Sequence, residues 1–127
     1  MSLHIQTPLI ESDPVSQAAG RRVRLKLDAL QPPGSFKIRG IGLACETHAR
    51  NGKRRFISSS GGNAGIAVAY AGRRLGVPVV VVVPESTTER ARELIRRQGA
   101  ELIVHGAAWH EANARAQSML GDEDAFV

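Results

Sequence analysis

The sequence predicts an α/β fold: a parallel twisted sheet with flanking helices. From residue 55 onward, strand-like and helix-like patterns alternate, which is the signature of right-handed βαβ units. One of these strands, Val79–Val83, is an unbroken run of valine, the composition of a strand that is covered on both faces. The helix-like segments end at glycines, which terminate helices readily. Together these three observations indicate the α/β class.

The residues before 55 carry fewer elements. Residues 3–10 are predicted to form an extended entry segment, because a proline breaks their mixed sequence. The run 22–28 alternates apolar and charged side chains, the pattern of a half-buried strand. A helix is expected next, with Ser35 as its N-cap and with Asn51-Gly52 at its end. The residues that recur at helical spacing along its inner face are Ile38, Ile41, Cys45 and His48.

The predicted elements of the alternating region follow one another closely. They are, in order, a strand at 56–60, a helix at 64–75, the strand Val79–Val83, a helix opened by a capping box of Ser86 and Glu89, a strand at 102–105, a helix at 109–120 and a strand that begins at 125–127. The connections are short, and no sequence repeat accompanies the alternation. A domain seldom ends inside a strand, so we expect the chain to belong to something longer.

Composition and charge limit the kinds of partner. Hydrophobic residues make up 43% of the 127 residues and charged residues 23%, which suits a soluble chain with a modest core. The net charge of +5 raises the question of a nucleic-acid partner. The chain contains only three Phe, one Tyr and one Trp, too few to supply base-stacking surfaces. We interpret the arginines as solvated faces and expect no nucleic-acid partner.

Further features concern compartment, membrane and metals. A single cysteine, Cys45, excludes an internal disulfide framework and permits a reducing compartment. Residues 1–10 lack the charged-then-apolar design of a secretion signal, and the longest apolar run, 77–84, is far shorter than the ~20 residues of a membrane helix. No metal-ligand spacing relates the histidines, which are His4, His48, His105 and His110. The sequence thus predicts a cytoplasmic protein without a membrane segment or a metal site.

One lysine stands in an unusual setting. Lys37 lies in the stretch Gly-Ser-Phe-Lys-Ile-Arg-Gly at 34–40, directly after two prolines. Proline stiffens the approach, and glycine lets the backbone pass close to a bulky group. Lysine forms Schiff bases with carbonyl compounds, including pyridoxal phosphate, once it has lost its proton. A surface lysine at the start of a helix is the alternative, and the neighbouring Arg39 is expected to make an ordinary helix-surface or interdomain contact.

A second stretch, Ser-Ser-Ser-Gly-Gly-Asn-Ala-Gly at 58–65, joins a predicted strand to a predicted helix. Ligands of open α/β sheets bind at the carboxyl ends of strands, and such a turn offers backbone N–H groups and hydroxyls to a carboxylate or phosphate. It lacks the Gly-Lys-Ser/Thr of a P-loop and the Gly-x-Gly-x-x-Gly of a dinucleotide site. A purely structural turn, with Asn63 as a helix cap, is the alternative.

The two stretches together are more specific than either one alone. In combination they resemble the fold-type II pyridoxal-phosphate enzymes, and within them the L-serine dehydratase/L-threonine deaminase branch. The runs LHIQTPLIES, LKLDALQPPGSFKIRGIG and AAGRRLGVPVVVVVPE are similar to that branch too, so the resemblance spans 4–127. Ile38 stands where sulfur-assimilating synthases and threonine synthases usually carry Asp. Gly61 is an extra small residue that serine racemases usually lack, although many dehydratases have alanine there.

The resemblance implies an architecture and a set of roles. Residues 1–40 would belong to a large domain, and residues 41–127 would form the small, tryptophan synthase β-like domain that closes over substrate. Lys37 would hold pyridoxal 5'-phosphate as a Schiff base and then take the substrate α-proton, while Phe36 would pack against the pyridine ring. Asn63 would reach the phenolic oxygen of the cofactor. The substrate carboxylate would be held by Ser60, Gly61, Asn63 and Ala64.

The implied reaction is the α,β-elimination that converts L-serine to pyruvate and L-threonine to 2-oxobutanoate, with release of ammonia, in a homodimer. In the family, the loop for the cofactor phosphate and the group facing the pyridine nitrogen lie beyond this segment. A monovalent cation is allowed by the resemblance, without visible ligands here. We therefore expect the chain alone to be an incomplete enzyme. Two alternatives stay open: a racemising or β-replacing relative, and a non-catalytic α/β binding module in which Lys37 is incidental.

Overall fold

The computed structural model describes residues 2–127, and Met1 lies outside the described residues. The elements are, in chain order, β1 (Leu9–Glu11), α1 (Asp13–Ala19), β2 (Arg24–Lys26), a 3-10 turn (Asp28–Leu30), α2 (Lys37–Arg50), β3 (Arg55–Ser58), α3 (Asn63–Leu75), β4 (Val79–Val83), α4 (Glu89–Arg97), β5 (Glu101–Val104), α5 (Trp109–Ser118) and β6 (Asp124–Phe126). The alternation expected from residue 55 onward is present, with small shifts of the boundaries.

Four strands form a fully parallel sheet in the order β5-β4-β3-β6. At its centre, the register of β3 and β4 places Phe56 beside Val79 and Ser58 beside Val81. Side chains of α2, α3 and α4 are buried in one cluster with the sheet. Side chains of α5 are buried in a second cluster with it. The prediction of an α/β fold with a parallel sheet and flanking helices is therefore confirmed.

The valines of β4 show why an unbroken apolar run suits this position. Val79, Val81 and Val83 belong to the cluster formed with α2, α3 and α4. Val80 and Val82 point to the other face and belong to the cluster formed with α5. All five are buried, because successive side chains of a strand alternate between faces and both faces are covered here.

The amino-terminal strand agrees only in part with its predicted burial. β2 pairs antiparallel with β1 and places Leu25 opposite Ile10. Every residue of both strands is exposed, and Leu25 retains 37% of its accessible surface. In the wider run 22–28, Val23 and Leu27 are half-buried, whereas Arg24 and Lys26 are exposed. The half-buried strand expected there is thus found in part, with Leu25 more exposed than expected because no further layer within residues 2–127 covers this two-stranded sheet. The alternating pattern correctly marked extended backbone.

The helix α1 was not predicted. Ser12 caps it by accepting a hydrogen bond from the Val15 backbone N–H at 3.4 Å, a proline occupies its first turn, and Gly20 ends it with φ of 65°. These are ordinary start and stop signals. The helix buries none of its residues, so it has no periodic apolar face by which its sequence could be distinguished from a loop.

Two predicted N-caps are also wrong. Ser35 does not cap α2: Phe36 holds the N-cap position without a side-chain hydrogen bond, and the Ser35 Oγ is buried without a partner within residues 2–127. At α4 the cap is Thr88, whose side chain accepts from the Ala91 N–H at 3.3 Å. Ser86 stands two residues too early, because it lies inside a turn closed by the Thr87 N–H and the Pro84 carbonyl.

None of the helices within residues 2–127 combines the length and apolar composition needed to cross a membrane. Over the same residues, no group of three or more His, Cys, Asp and Glu side chains is arranged to hold a metal ion.

Candidate active site

Lys37 is the first residue of α2, and a tight bend delivers it there. The Gly34 N–H donates to the Gln31 carbonyl at 2.7 Å, and Gly34 adopts a φ of +87°. This is the left-handed region that glycine enters at little cost. The bend turns the chain into α2 with the side chains of Phe36 and Lys37 exposed. The helix is held by Ile38, which is completely buried one residue further on.

Lys37 differs from the other lysines of the chain, which are Lys26 and Lys53. The Lys26 Nζ donates to the Thr7 carbonyl, and the Lys53 Nζ donates to the Asp122 carbonyl at 2.7 Å. The Lys37 Nζ makes no hydrogen bond or salt bridge within residues 2–127; it lies 5.2 Å from the centroid of the Phe36 ring. This amine is therefore available to a ligand without breaking an existing hydrogen bond.

A cavity of about 350 Å³ opens beside this amine, which falls within the roughly 300–1,000 Å³ of small-molecule sites. It is lined by Phe36, Lys37, Arg39, Gly40 and Ile41. The Phe36 ring, 59% exposed, offers a flat apolar face. An amine, an aromatic face and a concave surface are the features that an aromatic aldehyde such as pyridoxal phosphate needs, so these residues fit that cofactor.

An ion pair that sequence reasoning did not find holds this bend. Arg39 donates from Nε to Asp28 Oδ2 at 2.9 Å and from Nη2 to Asp28 Oδ1 at 3.0 Å. Asp28 Oδ1 also accepts from the Thr7 hydroxyl at 2.6 Å. The Arg39 hydrogen bond, followed by that of Thr7, holds the pKa of the Asp28 carboxyl well below its ordinary value. Arg39, for which we expected a helix-surface or interdomain contact, thus contacts the preceding loop.

The second predicted stretch forms the turn from β3 into α3. Ser58 and Ser59 are buried at the end of the strand, Ser60 and Gly61 are half-buried, and Asn63 is exposed. The Ser60 Oγ accepts from the Gly62 N–H at 3.3 Å. The turn therefore ends with polar groups at the surface.

The start of α3 can bind an anion. Gly62 is its N-cap and makes no side-chain hydrogen bond, so Asn63 is the first helical residue and not the cap. The first backbone hydrogen bond of the helix runs from the Ile66 N–H to the Gly62 carbonyl. The N–H groups of Asn63, Ala64 and Gly65 consequently have no intrahelical acceptor, and they lie at the positive end of the helix dipole.

Two contacts fix the shape of this turn. A Cβ at Gly65 would lie 1.9 Å from the Ser60 carbonyl oxygen. The backbone of the turn therefore approaches α3 so closely that only glycine fits at position 65. A Cβ at Gly61 would lie 2.8 and 2.9 Å from the two γ atoms of Thr87. Thr87 belongs to the β4–α4 loop, which Arg92 holds by donating to the carbonyls of Thr87 and Glu85.

A further contact joins the turn to α5, because the Ser59 Oγ donates to Asn113 Oδ1 at 2.8 Å. The sequence gives no indication that Asn113 and Arg92 support the candidate site. Each acts on a loop through the tertiary fold, and neither belongs to a recognisable motif.

The two predicted stretches lie on neighbouring helices. α2 packs against α3, the most extensive contact between any two elements of the described chain. Ile38, next to Lys37, shares its buried cluster with Ile66, near the start of α3. The helix that carries the lysine and the helix that begins at Asn63 therefore form one packed unit.

Comparison with known proteins decides the family. The family model described as "Pyridoxal-phosphate dependent enzyme" matches residues 1–127. The chain belongs to this family. The resemblance found from the motifs around Lys37 and Asn63 is thus confirmed, and the family's cofactor is the one that the residues around Lys37 fit.

Similar curated proteins carry names of the serine dehydratase group. The protein "Serine dehydratase-like" of Homo sapiens is 52% identical over 116 residues, which cover 91% of this chain and 35% of the relative. The "L-serine dehydratase/L-threonine deaminase" of Mus musculus is 48% identical over 126 residues, 99% of this chain and 38% of the relative. The chain therefore spans little more than a third of the length of these two relatives.

A solved structure shows the same fold. The fungal L-serine ammonia-lyase of Rhizomucor miehei superposes with a TM-score of 0.92 and 36% sequence identity, over 100% of this chain and 41% of that chain. The parallel sheet with its flanking helices is thus the arrangement found within a member of the fold-type II pyridoxal-phosphate dependent enzymes.

Proposed function

We propose that this chain supplies the cofactor lysine and the substrate-carboxylate turn of a pyridoxal-phosphate dependent lyase. The enzyme would deaminate L-serine to pyruvate, and L-threonine to 2-oxobutanoate, with release of ammonia. The single observation that carries the proposal is the free amine of Lys37 beside an exposed aromatic ring and a cavity of about 350 Å³. The names of the similar dehydratases and of the ammonia-lyase support the choice of reaction.

Lys37 has two roles in this proposal. Its Nζ would hold the cofactor covalently, and, once the amino group of the substrate has displaced it, the freed amine would take the α-proton as a general base. Pyridoxal phosphate, when bound, supplies the electron sink that stabilises negative charge at the α-carbon. Since the amine contacts the Phe36 ring but makes no hydrogen bond or salt bridge within residues 2–127, no existing hydrogen bond has to break before it acts. Phe36 supports the flat face of the cofactor.

The turn from β3 into α3 binds the substrate carboxylate. The free N–H groups at Asn63 and Ala64, with the hydroxyl of Ser60, would donate hydrogen bonds to it. Gly61 allows close approach of the backbone. Asn63 is exposed, so its side-chain amide is available to the cofactor's phenolic oxygen. These donors would fix the carboxylate end of the amino acid.

The resemblance extends the proposal to the organisation of the whole enzyme. Residues 1–40 would complete a large domain, residues 41–127 would form the small domain that closes over the substrate, and two copies would form a homodimer. The exposed apolar side chains of the amino-terminal part agree with this division; they include Leu9, Ile10, Leu25, Leu30 and Phe36.

Product analysis of the full-length polypeptide that carries these residues tests the reaction. The protein is incubated with pyridoxal phosphate and L-serine, and pyruvate and D-serine are both measured. Pyruvate that disappears in Lys37→Ala and persists in the control Lys53→Ala is the expected result. D-serine without pyruvate would indicate a racemase. Absence of both products and of a visible absorption band would favour the binding module.

A further inference from the structure

The bend before Lys37 lacks the usual device for fixing a helix start. No side chain caps α2, and the nearby Ser35 hydroxyl makes no hydrogen bond within residues 2–127. An uncapped first turn of a helix frays, because its backbone N–H groups are unsatisfied. The first turn of α2 carries Lys37, which must be held in one place to perform the proposed chemistry. Another contact must therefore fix it.

The ion pair of Arg39 with Asp28 is placed to do this. Asp28 begins the 3-10 turn, and Arg39 is the third residue of α2, so the pair closes the loop 31–36 at both ends. The contact is bidentate, with distances of 2.9 and 3.0 Å. Bidentate arginine–carboxylate pairs fix direction as well as distance. Arg39 also lines the cavity beside Lys37.

The loop end of the pair is itself anchored. Gln31 donates to Asp28 Oδ1 at 3.1 Å and exchanges two hydrogen bonds with the backbone of Ile5. The Thr7 hydroxyl donates to the same carboxylate oxygen at 2.6 Å. Thr7 and Gln31 are both buried. Asp28 therefore cannot follow Arg39 if the helix start moves, and the carboxylate acts as a fixed point.

This pair differs from the surface ion pairs of the same chain. The side chains of Arg39 and Asp28 are 34% and 14% exposed. Those of Arg22 and Glu11 are 66% and 50% exposed, and they make a single contact, from Arg22 Nε to Glu11 Oε1 at 3.4 Å. Exposed single contacts of the latter kind contribute little. A half-buried, forked contact that shares its carboxylate with two further donors holds a defined geometry.

We propose that Arg39 is a positioning residue: through its forked contact with Asp28, it fixes the loop 31–36 and the first turn of α2, and so places the Lys37 amine. The inference rests on the role proposed for Lys37. The forked contact requires the planar shape of the Arg39 guanidinium and not only its charge. Lysine at position 39 would keep the charge and lose the fork.

Hydrogen exchange followed by mass spectrometry tests the proposal on the full-length polypeptide without added cofactor. In Arg39→Lys and Asp28→Asn, the amides of 31–38 are expected to exchange about tenfold faster than in the wild type. The core strand Val79–Val83 should be unchanged. Arg22→Lys, in the exposed pair, is the matched control and should leave both segments unchanged. Thr7→Val removes one donor to Asp28 and provides a milder variant if the others fold poorly.

A second readout reports on Lys37 itself. The proteins are incubated with pyridoxal phosphate and borohydride, and the fraction modified at Lys37 is measured. A several-fold slower modification in Arg39→Lys, with wild-type rates in Arg22→Lys, is expected. Unchanged exchange at 31–38, or an equal increase at 31–38 and in the core, would overturn the positioning role. If the wild type is not modified while exchange at 31–38 still responds, the function proposed for Lys37 fails and the fixation of the loop stands.

Discussion

The Ser59 hydroxyl donates a 2.8 Å hydrogen bond to Asn113 Oδ1, across 54 positions of sequence. Ser59 directly follows β3, and Asn113 lies on α5, which covers the opposite face of the sheet from α3. Ser59 is buried. Because Ser60 is the next residue, this contact ties the turn that would bind the substrate carboxylate to a helix far along the chain.

Asn113→Ala should weaken both stability and substrate binding. It leaves the buried Ser59 hydroxyl without its acceptor, which costs about 1–3 kcal/mol, and it frees the turn to move. We expect a lower free energy of unfolding and a KM for L-serine that rises more than kcat falls. Asn113→Asp keeps an acceptor oxygen at the same distance and is the control. Equal effects of both substitutions on KM would contradict this role of the contact.

Gly61→Ala should lower the free energy of unfolding because the added methyl group would collide with Thr87. Its Cβ would lie 2.8 and 2.9 Å from the γ atoms of Thr87, and overpacking of this kind costs about 1–3 kcal/mol. Thr87→Ala removes both γ atoms. A double-mutant cycle followed by urea unfolding should therefore show that most of the loss is recovered in Gly61→Ala/Thr87→Ala. Purely additive effects would show that the two residues do not compete for the same space.

The neighbouring glycines Gly62 and Gly65 form a matched pair. A Cβ at Gly65 would lie 1.9 Å from the Ser60 carbonyl, whereas nothing lies within 4 Å of a Cβ at Gly62. Gly65→Ala must displace backbone, so we expect it to lower the melting temperature and to abolish binding of amino-acid substrates. Gly62→Ala should behave like the wild type in calorimetry and in substrate titration. Similar results for the two variants would contradict the packing of the turn described above.

Acid should destabilise the fold through its paired carboxylates. The pKa of Asp28 is lowered chiefly by the Arg39 hydrogen bond, and the pKa of Asp124 chiefly by that of Arg55. A lowered folded-state pKa contributes stability above the unfolded value of about 3.9, and this contribution is lost as the pH falls through the folded-state pKa. The free energy of unfolding in urea should thus decline below about pH 4.

Asp28→Asn is expected to flatten this decline, since it removes one of the responsible carboxyls. Asp122→Asn, at an exposed position, is the control and should leave the slope unchanged. A wild-type slope in Asp28→Asn would show that the ion pair with Arg39 does not contribute to the pH dependence.

The local parts of the fold could be predicted from the sequence. The valine run of β4 indicates a covered strand, and the glycines after the helices indicate helix ends. Both patterns lie within a few residues, so the parallel sheet was correctly predicted. The exposure of Leu25 in β2 could not be predicted, because alternation at 22–28 marks extended backbone but not what covers each residue. α1 was missed because it buries none of its residues.

The candidate site divides in the same way. Lys37 and Asn63 lie in short motifs whose residue types already indicate their chemistry. The contacts that hold these motifs in place join distant segments: Arg39 to Asp28, and Ser59 to Asn113. Such pairings depend on how helices and strands pack, and no local spacing encodes them. Ser35 shows the converse, since its residue type is typical of a cap but its buried hydroxyl makes no hydrogen bond to the helix.

The most direct test of the account is the site at which pyridoxal phosphate attaches. The full-length polypeptide is mixed with the cofactor, reduced with borohydride and digested, and the modified peptides are identified by mass spectrometry. With only Lys26, Lys37 and Lys53 within these 127 residues, each lysine can be resolved. The account predicts modification of Lys37, with Lys26 and Lys53 unmodified, and loss of the visible band near ~410–430 nm in Lys37→Ala. Modification of another lysine, or of none, would contradict it.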